Sequence, residues 1–145
     1  MTDAEGPGFL KGRGAQKPEA NRFERYHHEP RDDYREYRLL EGEPESVRTQ
    51  YLEGNTKYIV NMVESPDVGM SYSMNPYQGC EHGCVYCYAR NSHQYWGYGP
   101  GLDFESRILI KEDAPLLLEK QLRKPTWRAA TIVLSGNTDC YQPAE

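Results

Sequence analysis

Apolar residues, long hydrophobic runs and surplus positive charge are all scarce in this chain of 145 residues. Its apolar share is 37%, below the roughly 45–50% of ordinary domains, so part of the chain is expected to lie outside any core. No apolar run approaches the roughly 18 residues of a helical membrane span. The opening MTDAEGPGFLKGRG has no apolar core of the roughly 7–15 residues found in secretory signals. Lys and Arg number 17 against 22 Asp and Glu, a formal charge of −5, so no global basic field draws the chain onto nucleic acid or an anionic membrane. These absences lead us to expect a cytoplasmic protein with no membrane partner. Cysteine is scarce as well, at four residues, but three of them, Cys80, Cys84 and Cys87, fall within eight positions. In a reducing compartment such clustering signals metal binding or catalysis rather than a disulfide framework.

The first 43 residues mix both charges with few aliphatics. FERYHHEPRDDYREYRLL has neither a helical stripe nor clean alternation, so residues 1–43 read as a flexible charged extension, with some Tyr and Leu pinning it to the domain surface. His27-His28 reads as a solvated pair within it. From residue 44 onward the pattern is that of an α/β domain. VRTQYLEGNTKYIVNMV, with turn chemistry at Glu53-Gly54-Asn55, predicts a short hairpin or two strands. Ser71-Tyr72-Ser73-Met74 predicts a strand ended by Asn75-Pro76. Asp113 as cap, Pro115 in the first turn, a face of Ala114, Leu117, Leu118 and Leu122, and Pro125 as a stop predict a helix. Ala129 to Leu134 reads as a parallel strand buried on both faces. Strand, loop, helix and strand make a βαβ crossover. Ligands in such sheets bind outside the carboxyl ends of the strands, so the cysteine loop and the Ser135–Cys140 segment are expected to face each other.

The loop itself, NPYQGCEHGCVYCYAR, spaces its thiols as C-x3-C-x2-C. Thiolates are soft ligands suited to zinc or iron–sulfur clusters. A cubane usually takes four Cys; three leave one iron free to bind something else. Gly79 and Gly83 each precede a cysteine and let the backbone approach closely.

Cys80-x3-Cys84-x-Tyr86-Cys87, followed by GLDFESRILIK and TDCYQP, resembles the radical S-adenosylmethionine superfamily, and within it the spore-photoproduct-lyase-like, or DNA repair photolyase-like, branch. The resemblance covers residues 71–145. It implies the N-terminal part of a partial (β/α) barrel. It also implies a [4Fe–4S] cluster on Cys80, Cys84 and Cys87, with S-adenosylmethionine chelating the open iron. Reductive cleavage would then yield a 5′-deoxyadenosyl radical that abstracts a substrate hydrogen. Tyr86 matches the position that flanks the adenine. Ser135-Gly136-Asn137-Thr138 matches the end of the second strand, where the family contacts the methionine amino group, although the common Gly-Gly-Glu is absent. Cys140 reads, by analogy with the lyase that this branch resembles, as a thiol hydrogen donor that quenches a substrate radical. The resemblance further implies an external electron donor such as flavodoxin or ferredoxin. A nucleic-acid substrate follows by analogy alone. A full barrel needs about 200 residues or more, so a fragment of a longer enzyme, inactive alone, is one expectation.

Blander readings stand beside these. The three thiols and a fourth ligand from His82, His93 or Cys140 would make a zinc site in a non-catalytic interaction module. Cys140 also reads as a small apolar residue. Tyr86, Tyr88, Tyr95, Trp96 and Tyr98 read as a base-stacking surface or as the shield of the loop. Asp103, Glu105 and Arg107 read as ion pairs or substrate contacts. Asp139 reads as a cofactor contact or a cap. Lys111, Lys120, Arg123, Lys124 and Arg128 form a local positive cluster, read first as dipole complement and solubility.

Overall fold

The computed structural model describes residue 10, residues 12–25 and residues 47–144; His27-His28 and the rest of residues 26–43 lie outside these. In chain order the described elements are β1 (Gln50–Glu53), β2 (Val60–Met62), β3 (Tyr72–Met74), β4 (Tyr77–Gln78), a 3-10 helix (Tyr88–Trp96), α1 (Leu102–Ser106), β5 (Arg107–Ile110), α2 (Ala114–Leu122) and β6 (Ile132–Leu134). The strands make two small sheets. In one, β5 lies between β1, which is parallel to it, and β4, which is antiparallel. In the other, β3 lies between antiparallel β2 and parallel β6, with Tyr72 opposite Ile132 and Met74 opposite Leu134.

The expected strand before Asn75-Pro76 forms as β3, and its parallel partner is the expected apolar run. The segment before it makes two strands rather than a hairpin, because β1 and β2 join different sheets. Gly54 does not turn a hairpin; its N–H continues the ladder to the Ile110 carbonyl at 2.8 Å.

Burial on both faces falls on a different strand from the one expected. Ile108 and Leu109, adjacent in β5, are both buried, because β5 has strands on each side and α1 immediately before it. Among the described residues β6 pairs with a strand on one side only, its first two residues are half-buried, and Leu134 is 50% exposed. The apolar run is continuous in both, but the number of flanking strands decides which is enclosed. The buried apolar side chains besides those of β5 include Phe104 and Leu102 from α1, Ala89 from the 3-10 helix, Ile59, Tyr77 and Ala114. Burying Phe104, Leu102 or Ile59 contributes roughly 1.5–3 kcal/mol each.

α2 begins and ends close to its sequence signals, with Asp113 at the N-cap position and Pro115 in the first turn. The Asp113 carboxylate makes no capping bond. The expected apolar face is only partly used: Ala114 is buried, Leu117 and Leu118 are half-buried, and Leu122 is exposed.

Residues 10 and 12–25 depart from the expected flexible extension. They form a strap laid across the domain. Leu10 and Asn21 are buried. Asn21 Nδ2 donates to the Gln94 carbonyl and the Arg22 N–H to Gln94 Oε1, each at 2.9 Å. A Cβ added to Gly99 would stand 1.9 Å from the Glu19 carbonyl oxygen, so the strap and the 97–101 loop touch backbone to backbone. Among the described residues, no helix is long and apolar enough to cross a membrane.

Candidate functional site

The cysteine loop starts where β4 ends. Gly79, at φ +85°, turns the chain out of the sheet, and a Cβ there would meet the Arg107 and Phe104 carbonyl oxygens at 2.9 Å each. The Cys80 N–H then donates to the Phe104 carbonyl at 2.8 Å. Gly83 repeats the left-handed turn at φ +65° just before Cys84. The Cys87 N–H donates to the Cys84 carbonyl at 3.2 Å, and Cys87 leads directly into the 3-10 helix. The loop thus carries two left-handed glycine turns, one just before Cys80 and one just before Cys84. All three are free and half-buried.

The segment after β6 faces this loop. The Tyr88 hydroxyl donates to the Gly136 carbonyl. Asn137 Nδ2 donates to Ser92 Oγ at 2.8 Å. The Glu81 N–H donates to Gln142 Oε1 at 3.2 Å, and His82 Nε2 lies 3.0 Å from the Tyr141 carbonyl and 3.4 Å from Asp139 Oδ2. Asn75, at the end of β3, anchors the far side: its Oδ1 accepts the N–H groups of Asn137 at 2.9 Å and Thr138 at 3.4 Å. Thr138 is buried, with its hydroxyl donating to the Tyr77 carbonyl at 2.8 Å. Gly136, Asn137 and Thr138 therefore brace this wall through their own bonds, and the Thr138 side chain points inward. Tyr86 does the opposite: it is 86% exposed, open to stack on a planar ligand. Cys140 is free and half-buried on the same facing segment.

His82 and His93 part company. His82 lies on the outside of the loop and ties it to Asp139 and Tyr141. His93 is fully buried, edge-on to Phe104 and beside Tyr98, and neither ring nitrogen has a hydrogen-bond partner. Burial is the main cause that lowers its pKa to about 4, with the Asp103 charge opposing. It is a neutral core imidazole beneath Gly79. Among the described residues, no three His, Cys, Asp or Glu side chains converge tightly enough to hold a single metal ion. Three free thiols on one loop are soft donors of the kind that zinc and iron–sulfur clusters both take.

Three charged features resolve into structure. Arg107 pairs with Asp103 at 3.5 Å. Arg123 pairs with Glu119 at 2.6 Å, and Lys124 Nζ donates to Gln121 Oε1 at 2.6 Å, so the positive cluster on α2 is partly spent locally. Lys111 Nζ donates to the Asn75 carbonyl at 2.8 Å, and burial lowers its pKa.

Sequence reasoning missed the support beneath the loop. Arg90, on the 3-10 helix, donates through Nη2 at 2.9 Å and Nε at 3.3 Å to the Cys84 carbonyl. It also pairs with Glu105, whose carboxylate is wholly buried. Arg13 of the strap donates to the Glu105 carbonyl at 2.6 Å and to Thr49 Oγ1 at 2.7 Å. Thr49 in turn donates to Glu81, which also accepts from Tyr51 at 2.8 Å. That last bond, with the Glu81 charge and some burial, raises the Tyr51 pKa. The one available signal was Gly12-Arg13-Gly14-Ala15, a run of small residues around a cation.

No family model and no solved structure matches the chain. Uncharacterized proteins of Mycobacterium tuberculosis and Mycobacterium bovis are each 38% identical to it over 107 residues, covering 69% of this chain and 32% of the relative. An uncharacterized protein of Methanocaldococcus jannaschii is 30% identical over 98 residues, covering 68% of this chain and 34% of its own length. The chain thus spans about a third of the length of these curated relatives.

Proposed function

We propose that this chain carries the cluster-binding part of a radical S-adenosylmethionine enzyme of the spore-photoproduct-lyase-like branch, its mixed α/β elements being the opening of a partial barrel. One observation carries the reading. Three free, half-buried thiols share one glycine-turned loop, and that loop faces the segment leaving the parallel β3–β6 pair. Cys80, Cys84 and Cys87 would hold a [4Fe–4S] cluster, and S-adenosylmethionine would take the remaining iron. Bound together, the two supply reductive cleavage of a carbon–sulfur bond and abstraction of a substrate hydrogen.

The protein's own share is placement. Gly79 and Gly83 fold the loop, and Arg90 holds its middle carbonyl. Tyr86 offers an exposed ring for the adenine. The Gly136–Thr138 backbone, fixed by Asn75, forms the opposing wall. Cys140 lies on that wall as a candidate hydrogen donor. Tyr88, bonded across to Gly136, helps shield the loop from water. The electron comes from an external carrier such as flavodoxin or ferredoxin, and a cytoplasmic setting, which keeps thiols reduced, suits such a loop. A nucleic-acid substrate rests on the resemblance alone.

Anaerobic reconstitution with iron and sulfide tests this. The expected product is brown, with about four iron and four sulfide per chain, and after reduction with dithionite it gives an electron paramagnetic resonance signal that shifts when S-adenosylmethionine is added. Alanine at Cys80, Cys84 or Cys87 is expected to abolish it. A colourless protein retaining stoichiometric zinc overturns the proposal.

A further inference from the structure

The strap and the cysteine loop meet at two glycines. A Cβ on Gly14 would stand 1.8 Å from the Gly83 carbonyl oxygen and 2.9 Å from its carbon. A Cβ on Gly83 would stand 3.1 Å from the Gly14 nitrogen and 3.2 Å from Glu105 Oε2. The two backbones are therefore in direct contact, one from each segment, with no room for a side chain on the strap. Beneath them lies the Glu105 carboxylate. It accepts the Gly14 N–H on Oε2 at 3.0 Å and the Ala15 N–H on Oε1 at 2.7 Å. It also accepts from Arg90, the residue that holds the Cys84 carbonyl. Arg13 completes the joint by bonding the Glu105 carbonyl.

We infer that Glu105 is a positioning residue for the cysteine loop, and that the strap around Gly14 is part of the cofactor site rather than an appendage. The carboxylate converts strap docking into loop geometry. With the strap seated, Gly14 and Ala15 fill one side of Glu105, Arg90 is held on the other, and Cys84 is fixed between Gly83 and Arg90. With the strap displaced, a buried carboxylate loses two N–H donors, Arg90 is free to move, and Cys84 loses its support. The inference deepens the function proposed above and rests on it for the identity of the ligand, but the geometry concerns the thiols themselves.

The test uses the full chain, reduced, metal-free and anaerobic. Each cysteine's maleimide labelling rate is read by peptide mass spectrometry, alongside amide exchange at Ile108 and Leu109. In Gly14→Ala and in Glu105→Gln, labelling of Cys84 is expected to rise about tenfold, as for loss of one charge-assisted hydrogen bond. Cys140 labelling and the β5 amides are expected to stay unchanged. Should Glu105→Gln unfold, Gly14→Ala decides, since Gly14 lies outside the β-core. Equal acceleration at all four cysteines, or no change at Cys84, overturns the inference. A second arm reconstitutes each variant with iron and sulfide; lower iron content or a shifted resonance signal is expected while far-ultraviolet dichroism is retained, and a parent-like cluster in Gly14→Ala overturns it. If the parent chain takes up no iron, the proposed function fails, and the labelling arm still decides the role of Glu105.

Discussion

The two sheets of this protein are built from strands of similar length yet differ sharply in how they are held. The β1–β5–β4 sheet has a fully enclosed centre: Ile108 is 0% exposed, and α1, the cysteine loop and the strap pack around β5. The β2–β3–β6 sheet is open, with Met62 63% exposed on one edge strand and Leu134 half exposed on the other. The first is dense in long-range polar ties that converge on Glu105; the second relies on its ladders and on Asn75. The contrast suggests a division of labour. The bonds on Glu105 and Arg90 support the cysteine loop from below. The open sheet meets that loop through the segment after β6, and sparsely buried elements are where local opening concentrates.

The comparison can be broken most directly at Arg90. Alanine there strands a buried carboxylate, and a loss of about 3–5 kcal/mol is expected, toward the lower end because Gly14 and Ala15 still donate to Glu105. Urea unfolding checks this; a loss below about 1 kcal/mol, the scale of a surface pair, would mean the joint is not a structural centre. Ile108→Ala comes next, at about 2–5 kcal/mol by the same measurement.

His93 sharpens the contrast by pH. Its pKa is lowered from 6.5 to about 4 in the folded protein. Between those values the unfolded chain binds a proton that the folded chain refuses, so stability falls as pH falls from about 6.5 to about 4, by up to about 3 kcal/mol. His93→Phe is expected to remove this component. The check is the difference between the two proteins' unfolding free energies across that range, and a constant difference would sink the assignment. The smallest effect is expected at the open sheet: Leu134→Ala should cost about 0.5 kcal/mol or less. A cost near that of Ile108→Ala would erase the distinction between the sheets.

What was legible in the sequence follows the same divide. β3 and α2 announced themselves through local chemistry: Asn75-Pro76 ends the one, and Pro115 and Pro125 bracket the other. The cysteine loop was visible because thiol spacing is local, and its facing of the Ser135–Cys140 segment followed from the parallel pairing. β5 was missed because Arg107–Ile110 follows α1 without a turn residue to mark its start. Enclosure was assigned to the wrong strand because an apolar run does not disclose how many neighbours it will have. The strap was misread because its hold comes largely from polar bonds, through Arg13, Asn21 and the N–H groups of Gly14 and Ala15, and from close backbone approach at Gly14. Neither leaves a hydrophobic signal, and the acceptor at Glu105 lies 91 residues from Gly14.

That separation has a consequence for biosynthesis. Gly14 leaves the ribosome long before Glu105 exists, so during translation the strap has nothing to grip. Cys80, Cys84 and Cys87 also emerge ahead of Glu105, and for that interval the nascent loop is uncovered on the side where Gly14 will later sit. A reagent that reaches the thiols during this window would meet a pliable loop, whereas one added to the released chain would meet the loop with Gly14 seated against Gly83.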